Sequence, residues 1–111
     1  MFLDDEVDIC EIYKDFYTSA SVEVYVFSEP KKAIEFAKNN FLDMIFLDYR
    51  MPGANGDSVA TEIGGEVAKY LITGEINVET EYSFVKVLAK PVDLDEIQAI
   101  LMARLAEKKA L

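Results

Sequence analysis

Four short polar clusters hold the groups of this sequence that could do chemistry. Asp4-Asp5-Glu6 sets three acids in a row, Asp48 follows Met44-Ile45-Phe46-Leu47, Thr73-Gly74 follows an apolar run ending at Ile72, and Lys90-Pro91 follows Val85 to Leu88. Carboxylates gathered at one place repel each other and cost stability unless a cation neutralises them. The chain has no histidine and one cysteine, Cys10. Asp oxygens without nitrogen or sulfur partners select a hard ion such as Mg²⁺, which keeps several waters. Asp48, directly behind the most apolar run, is reachable but poorly solvated. In that setting a carboxylate can attack phosphorus and form an acyl phosphate, once a metal and a cation neutralise the phosphoryl oxygens. Lys90 is placed to be that cation, and the Thr73 hydroxyl to donate a hydrogen bond to the same group. Each cluster has an ordinary role when taken singly: a helix N-terminus for the acids, a loop cap for Asp48, a strand end for Thr73, a solvated lysine. Four such groups at four equivalent places favour the chemistry.

The elements that must position them are short apolar runs alternating with helical patterns. Met1 to Leu3, Val22 to Phe27, Met44 to Leu47, Val67 to Ile72 and Val85 to Leu88 read as strands. Met44 to Leu47 has no polar alternation, as befits a central strand covered on both faces. Ile9, Ile12, Tyr13 and Phe16 give a first helix from about Glu6 to Tyr17 with one apolar face. Ser28 caps a second helix with Pro30 in its first turn and Ile34 and Ala37 facing inward. A third helix runs from Gly56 to about Ile63 and stops at Gly64-Gly65. Asp93 caps the last helix, with Glu96 as capping-box partner and Leu94, Ile97, Leu101 and Leu105 as its buried stripe. Between Glu75 and Tyr82 only one or two turns fit, so a helix there is short or absent. Strand, helix, strand repeated along the chain implies a parallel sheet with right-handed crossovers, a three-layer doubly wound α/β fold. Ligands of such sheets bind beyond the carboxyl ends of the strands, where all four polar clusters fall.

Composition narrows the function classes. The 111 residues are 51% hydrophobic, and 11 Lys+Arg against 21 Asp+Glu leave a net charge of −10. One domain over residues 1–111 is expected, able to bury a core without disulfides. The negative charge argues against direct binding of nucleic acid. No apolar stretch approaches a membrane span, and Met1-Phe2-Leu3 runs into acids rather than a signal core. The expectation is a cytoplasmic chain with a free thiol. Lacking histidine, the chain cannot supply a phosphohistidine itself, so any such donor is another molecule.

With these residues in place, the chain resembles a receiver domain of two-component response regulators, of the CheY-like superfamily. The resemblance rests on Asp4-Asp5-Glu6, the run Asp48-Tyr49-Arg50-Met51-Pro52-Gly53-Ala54-Asn55-Gly56, Thr73-Gly74 and Lys90-Pro91. It implies a flavodoxin-like five-stranded parallel sheet of order 2-1-3-4-5. It also implies that Asp48 is the phosphoacceptor, and that Asp5, Asp48 and the backbone carbonyl of Arg50 hold Mg²⁺ with Asp4 helping through water. Lys90 would pair with the phosphoryl oxygens, Thr73 would move toward them, and the Lys90-Pro91 peptide would be cis. The implied partners are a histidine kinase or histidine phosphotransfer protein and a downstream protein or appended effector domain. Such a domain accepts a phosphoryl group, and can promote its own phosphorylation and dephosphorylation, without turning over a substrate as an enzyme does.

Departures from the family pattern set further expectations. Val87 stands where the family usually has an aromatic switch, with Tyr82 and Phe84 out of register. The spacings from Asp48 to Thr73 and from Thr73 to Lys90 are both short. The first strand has only three residues before the acid pair, so the expectation is either that upstream sequence is missing or that the strand is weakly anchored. Arg50 and Glu75, two residues after Asp48 and Thr73, could pair across the path of an attacking water. One alternative is a receiver-like interaction module with constitutive output, its aromatic switch and fourth helix eroded. The other, a phosphohydrolase of the haloacid-dehalogenase kind, would need an acid at Arg50.

Overall fold

The computed structural model describes residues 1–110. Its elements are β1 (Phe2–Leu3), α1 (Val7–Tyr17), β2 (Val26–Phe27), α2 (Pro30–Asn39), β3 (Met44–Asp48), β4 (Arg50–Met51), β5 (Ala54–Asn55), α3 (Gly56–Ile63), β6 (Ala68–Thr73), β7 (Lys86–Ala89) and α4 (Leu94–Ala110). Five strands form one parallel sheet in the order β2-β1-β3-β6-β7. With the small antiparallel β4-β5 hairpin set aside, that is the expected order 2-1-3-4-5. The hairpin was not anticipated, because its two-residue strands are too short to show a period.

Alternation along the strands divides the core in two. Phe2, Phe46, Tyr70, Ile72 and Leu88 pack with Tyr13 and Tyr17 of α1 and Ile97 of α4, while Leu3, Ile45 and Leu47 pack with Ala33 of α2 and Val59 and Ala60 of α3. The first cluster is built on stacked rings, with Phe2 centred 4.4 Å from Tyr13 and 4.7 Å from Phe46, and Phe46 4.8 Å from Tyr70. The period of two places Asp4 on the side of Phe2 and Asp48 on the side of Phe46.

Several details differ from the sequence reading. α1 turns Cys10, Tyr13 and Tyr17 inward, whereas Ile12 and Phe16 are about half exposed. Both sets have helical spacing, and the sheet's aromatic rings select the set containing Tyr17, whose hydroxyl also donates to Leu94 O at 2.7 Å. Glu29 rather than Ser28 is the N-cap of α2, with Pro30 opening the helix and Ile34 and Ala37 half-buried. Asp93 does cap α4, accepting from the Asp95 and Glu96 amides at 3.0 and 3.3 Å. The Glu96 carboxylate turns instead to Lys86 at 2.7 Å, so it does not close a capping box. Of the expected stripe on α4, Ile97 is buried and Leu94, Leu101 and Leu105 are half-buried. β1 is short but not weakly anchored: Met1, Phe2 and Leu3 are buried, and β1 pairs on both sides. No helix forms between Gly74 and Val85 among the described residues; the link is a strap.

Candidate functional site

The site is assembled at the carboxyl edge of the sheet by four adjacent strands, β1, β3, β6 and β7, and one close helix. β3 ends at Asp48, and the chain is held as it leaves the sheet because Tyr49 N–H donates to Ile72 O at 2.9 Å. Gly56 then returns to the same place, its N–H on Tyr49 O at 2.9 Å. A Cβ at Gly56 would lie 2.6 Å from both Asp48 O and Leu71 Cδ1, so only glycine lets α3 start this close to the Asp48 backbone. Asn55 caps that helix, its side chain accepting from Ser58 N at 2.8 Å in a reciprocal capping box. At the neighbouring strand, Asp4 N–H donates to Phe27 O and the Asp4 carboxylate accepts from Glu6 N–H at 2.9 Å, turning the chain into α1.

Carboxylate oxygens of Asp4, Asp5 and Asp48 all lie within 4.8 Å of one another. Asp4 and Asp48 are buried, each 2% exposed, with Asp5 more open to solvent. Lys90, between β7 and a cis Lys90-Pro91 peptide, brings its Nζ to 2.7 Å from Asp48 Oδ1. Thr73 is buried at the end of β6, its Oγ1 accepting from Glu75 N–H at 3.1 Å. Arg50 opens β4, and its guanidinium forms a two-pronged pair with Glu75 at 2.8 Å for both bonds. The structure therefore brings Asp4, Asp5, Asp48, Thr73 and Lys90 to one edge, with the Arg50–Glu75 pair beside them.

The electrostatics follow from crowding negative charge in a poorly hydrated place. Burial pushes the Asp48 carboxyl up to about 6, and the Asp4 charge and a contact with Asp5 push the same way against the opposing pull of Lys90. Asp4 is also raised, chiefly by burial, with the Glu6 amide and Lys90 opposing. Burial lowers the Lys90 ammonium, but its hydrogen bond to Asp48 and the surrounding carboxylates outweigh this and raise it. One lysine thus faces three carboxylates. The donor set consists of hard oxygens at a crowded anionic site, and it fits a small divalent cation.

Two features around the site were not singled out from sequence. Gly56 stands in the sequence only as the start of the third helix, whereas its closeness to Asp48 O is a tertiary feature. Lys69 lies inside β6, and the signal was a charged residue within an otherwise apolar run.

A doubly wound parallel sheet with an acid cluster and a lysine at its carboxyl edge defines an α/β class whose ligands bind at the strand ends. Residues 1–102 match the family described as "Response regulator receiver domain", and the chain belongs to it. It is thus a receiver domain of two-component response regulators, a phosphoacceptor family rather than a classical enzyme. Phosphoglycerate transport system transcriptional regulatory protein PgtA of Salmonella typhimurium is 26% identical over 119 aligned positions, which cover 100% of this chain and 29% of that protein. The chain spans under a third of the length of the curated relatives it matches. Among solved structures, response regulator protein TrrA from Thermotoga maritima in complex with Mg(2+)-BeF superposes with TM-score 0.79 at 23% identity, covering 93% of this chain and 95% of that one. A signal receiver domain of an HD domain-containing protein from Pseudomonas fluorescens Pf-5 gives TM-score 0.81 at 15% identity, covering 98% and 87%. No helix of the described residues is long and apolar enough to cross a membrane.

Proposed function

We propose that Asp48 is the phosphoacceptor of this receiver, taking a phosphoryl group from the phosphohistidine of a histidine kinase or histidine phosphotransfer protein. An Asp48 oxygen attacks phosphorus, the P–N bond to the donor imidazole breaks, and the imidazole leaves with a proton taken from solvent. Lys90, now against Asp48, turns to the phosphoryl oxygens, and Thr73 donates its hydroxyl to one of them. Asp5, Asp48 and the Arg50 backbone carbonyl would hold Mg²⁺, with Asp4 acting through water. When bound, the ion neutralises the carboxylates and the incoming phosphoryl oxygens. The observation that carries this reading is the 2.7 Å contact of Lys90 with a buried Asp48 inside a cluster of three carboxylates. Residues 1–111 act as a single receiver unit, with output through a downstream protein or an appended effector domain. The far greater length of the transcriptional regulatory relatives supports that last point. The net charge of −10 supports the absence of direct nucleic-acid binding by these residues.

Phos-tag electrophoresis after incubation with acetyl phosphate tests the metal requirement. A retarded band is expected with Mg²⁺ and none in chelator. Equal labelling in both would overturn the metal assignment.

A further inference from the structure

The strap between β6 and β7 is held very differently at its two ends. At the near end, Glu75 N–H rests on Oγ1 of the buried Thr73 and the Glu75 carboxylate on the exposed Arg50, both at the phosphoacceptor edge. The middle is open: Ile76 is 87% exposed and Asn77 sits in the left-handed region at φ 59°. At the far end, both oxygens of Asp57 accept backbone amides, Glu81 N at 2.8 Å and Tyr82 N at 2.9 Å. The Tyr82 hydroxyl accepts from Lys69 Nζ at 2.9 Å, and the same ammonium donates to Gly64 O at 2.7 Å and Val67 O at 3.3 Å. Lys69 is 1% exposed. A buried ammonium is stable only while its protons are taken up, so the Tyr82 oxygen is needed where it is. Hydrogen bonds to ionised groups are the strong ones, and both far-end anchors are of that kind, whereas at the near end only the exposed Arg50–Glu75 pair is and the backbone is held by the neutral Thr73 bond.

We propose that Asp57, Lys69 and Tyr82 form a clasp that fixes the far end of the strap, so that phosphorylation moves only its near end. This rests on the phosphoacceptor reading of Asp48. A phosphoryl group there takes the Thr73 hydroxyl as a donor, and as the Thr73 side chain moves toward it, the hydroxyl oxygen leaves the reach of the Glu75 amide. The released residues run from Glu75 through the exposed Ile76 to the clasp. Gly56, pressed on Asp48 O, directly precedes Asp57, so the clasp and the acceptor share one rigid helix start. The movement stops at Glu81 and needs no ring at Val87.

Amide shifts and hydrogen exchange with Mg²⁺ and beryllofluoride test this. In the wild-type chain, Glu75, Ile76 and Asn77 are expected to respond and Glu81 and Tyr82 to stay silent. In Asp57→Ala, exchange at Glu81 and Tyr82 should rise by a factor of about ten or more, and the response should spread to Phe84. Tyr82→Phe leaves both Asp57 bonds and removes the Lys69 acceptor, and it should show the same spread if Asp57→Ala fails to fold. Wild-type Glu81 and Tyr82 responding as strongly as Glu75, or a variant response that still stops at Asn77, would overturn the clasp. No shift at Asp48 to Met51 on adding the mimic would overturn the phosphoacceptor reading and the clasp with it.

Discussion

Asp48 is held as a carboxylate at a cost. Its folded value is about 6 against an ordinary 3.8, so the folded chain binds that proton more tightly than the unfolded chain does. Its favourable contribution is therefore complete below about pH 4 and is lost as pH rises through 6. Without divalent cation, Asp48→Asn should then melt a few degrees higher than wild type at pH 7, and the gap should close toward pH 4. Thermal melts in chelator across that range check it. Mg²⁺ should reverse the order, because it stabilises only the chain that keeps its ligand. The Arg50–Glu75 pair belongs to the same scale. Its exposed geometry contributes little to the fold but lies beside Asp48. Arg50→Ala should change the decay rate of the phosphorylated protein several-fold while leaving the melting temperature nearly unmoved, read by loss of the retarded Phos-tag band over time.

At the scale of elements, the start of α3 is the most constrained feature. Gly56→Ala would drive a methyl group into Asp48 O and Leu71, and overpacking of this kind costs about 2 kcal/mol. Denaturant melts should show that loss, and labelling of Asp48 should slow because its backbone is displaced. The elements themselves were legible where one physical cause dominates. Met44 to Leu47 reads as a buried strand because nothing polar interrupts it, and Asp93 reads as a cap because its side chain has a local partner. Legibility failed where two solutions satisfy one pattern. Ile12 and Phe16 share helical spacing with Ile9 and Tyr13, and only the rings of Phe2 and Phe46 decide for Tyr17, while Cys10 Sγ meets Asp4 O and Phe27 O. Glu96 can close a capping box or reach Lys86, and the nearby ammonium wins. That a helix over the strap would be short or absent was readable from length alone, but the clasp was not. Asp57, Lys69 and Tyr82 are distant in sequence, and each looks like an ordinary residue by itself.

Across the whole molecule, the parallel layered sheet and the location of the site at its carboxyl edge follow from the alternation of short apolar runs with helices, whereas the strand order came with the resemblance to the receiver family. The site residues were legible together because parallel strands deliver their ends to one edge, so four separate clusters became neighbours without any knowledge of side-chain geometry. Distances were not legible: that Lys90 touches Asp48, and that Arg50 meets Glu75 through two bonds, depends on backbone placement no local pattern encodes. The central claim is that Asp48 carries the phosphoryl group. It is tested most directly by labelling with acetyl phosphate in Mg²⁺, reducing the acyl phosphate with borohydride, and locating the reduced residue by peptide mass spectrometry. The account predicts reduction at Asp48 alone and none in Asp48→Asn. Reduction at Asp4 or Asp5 in the wild-type chain, or undiminished labelling in the variant, would contradict it.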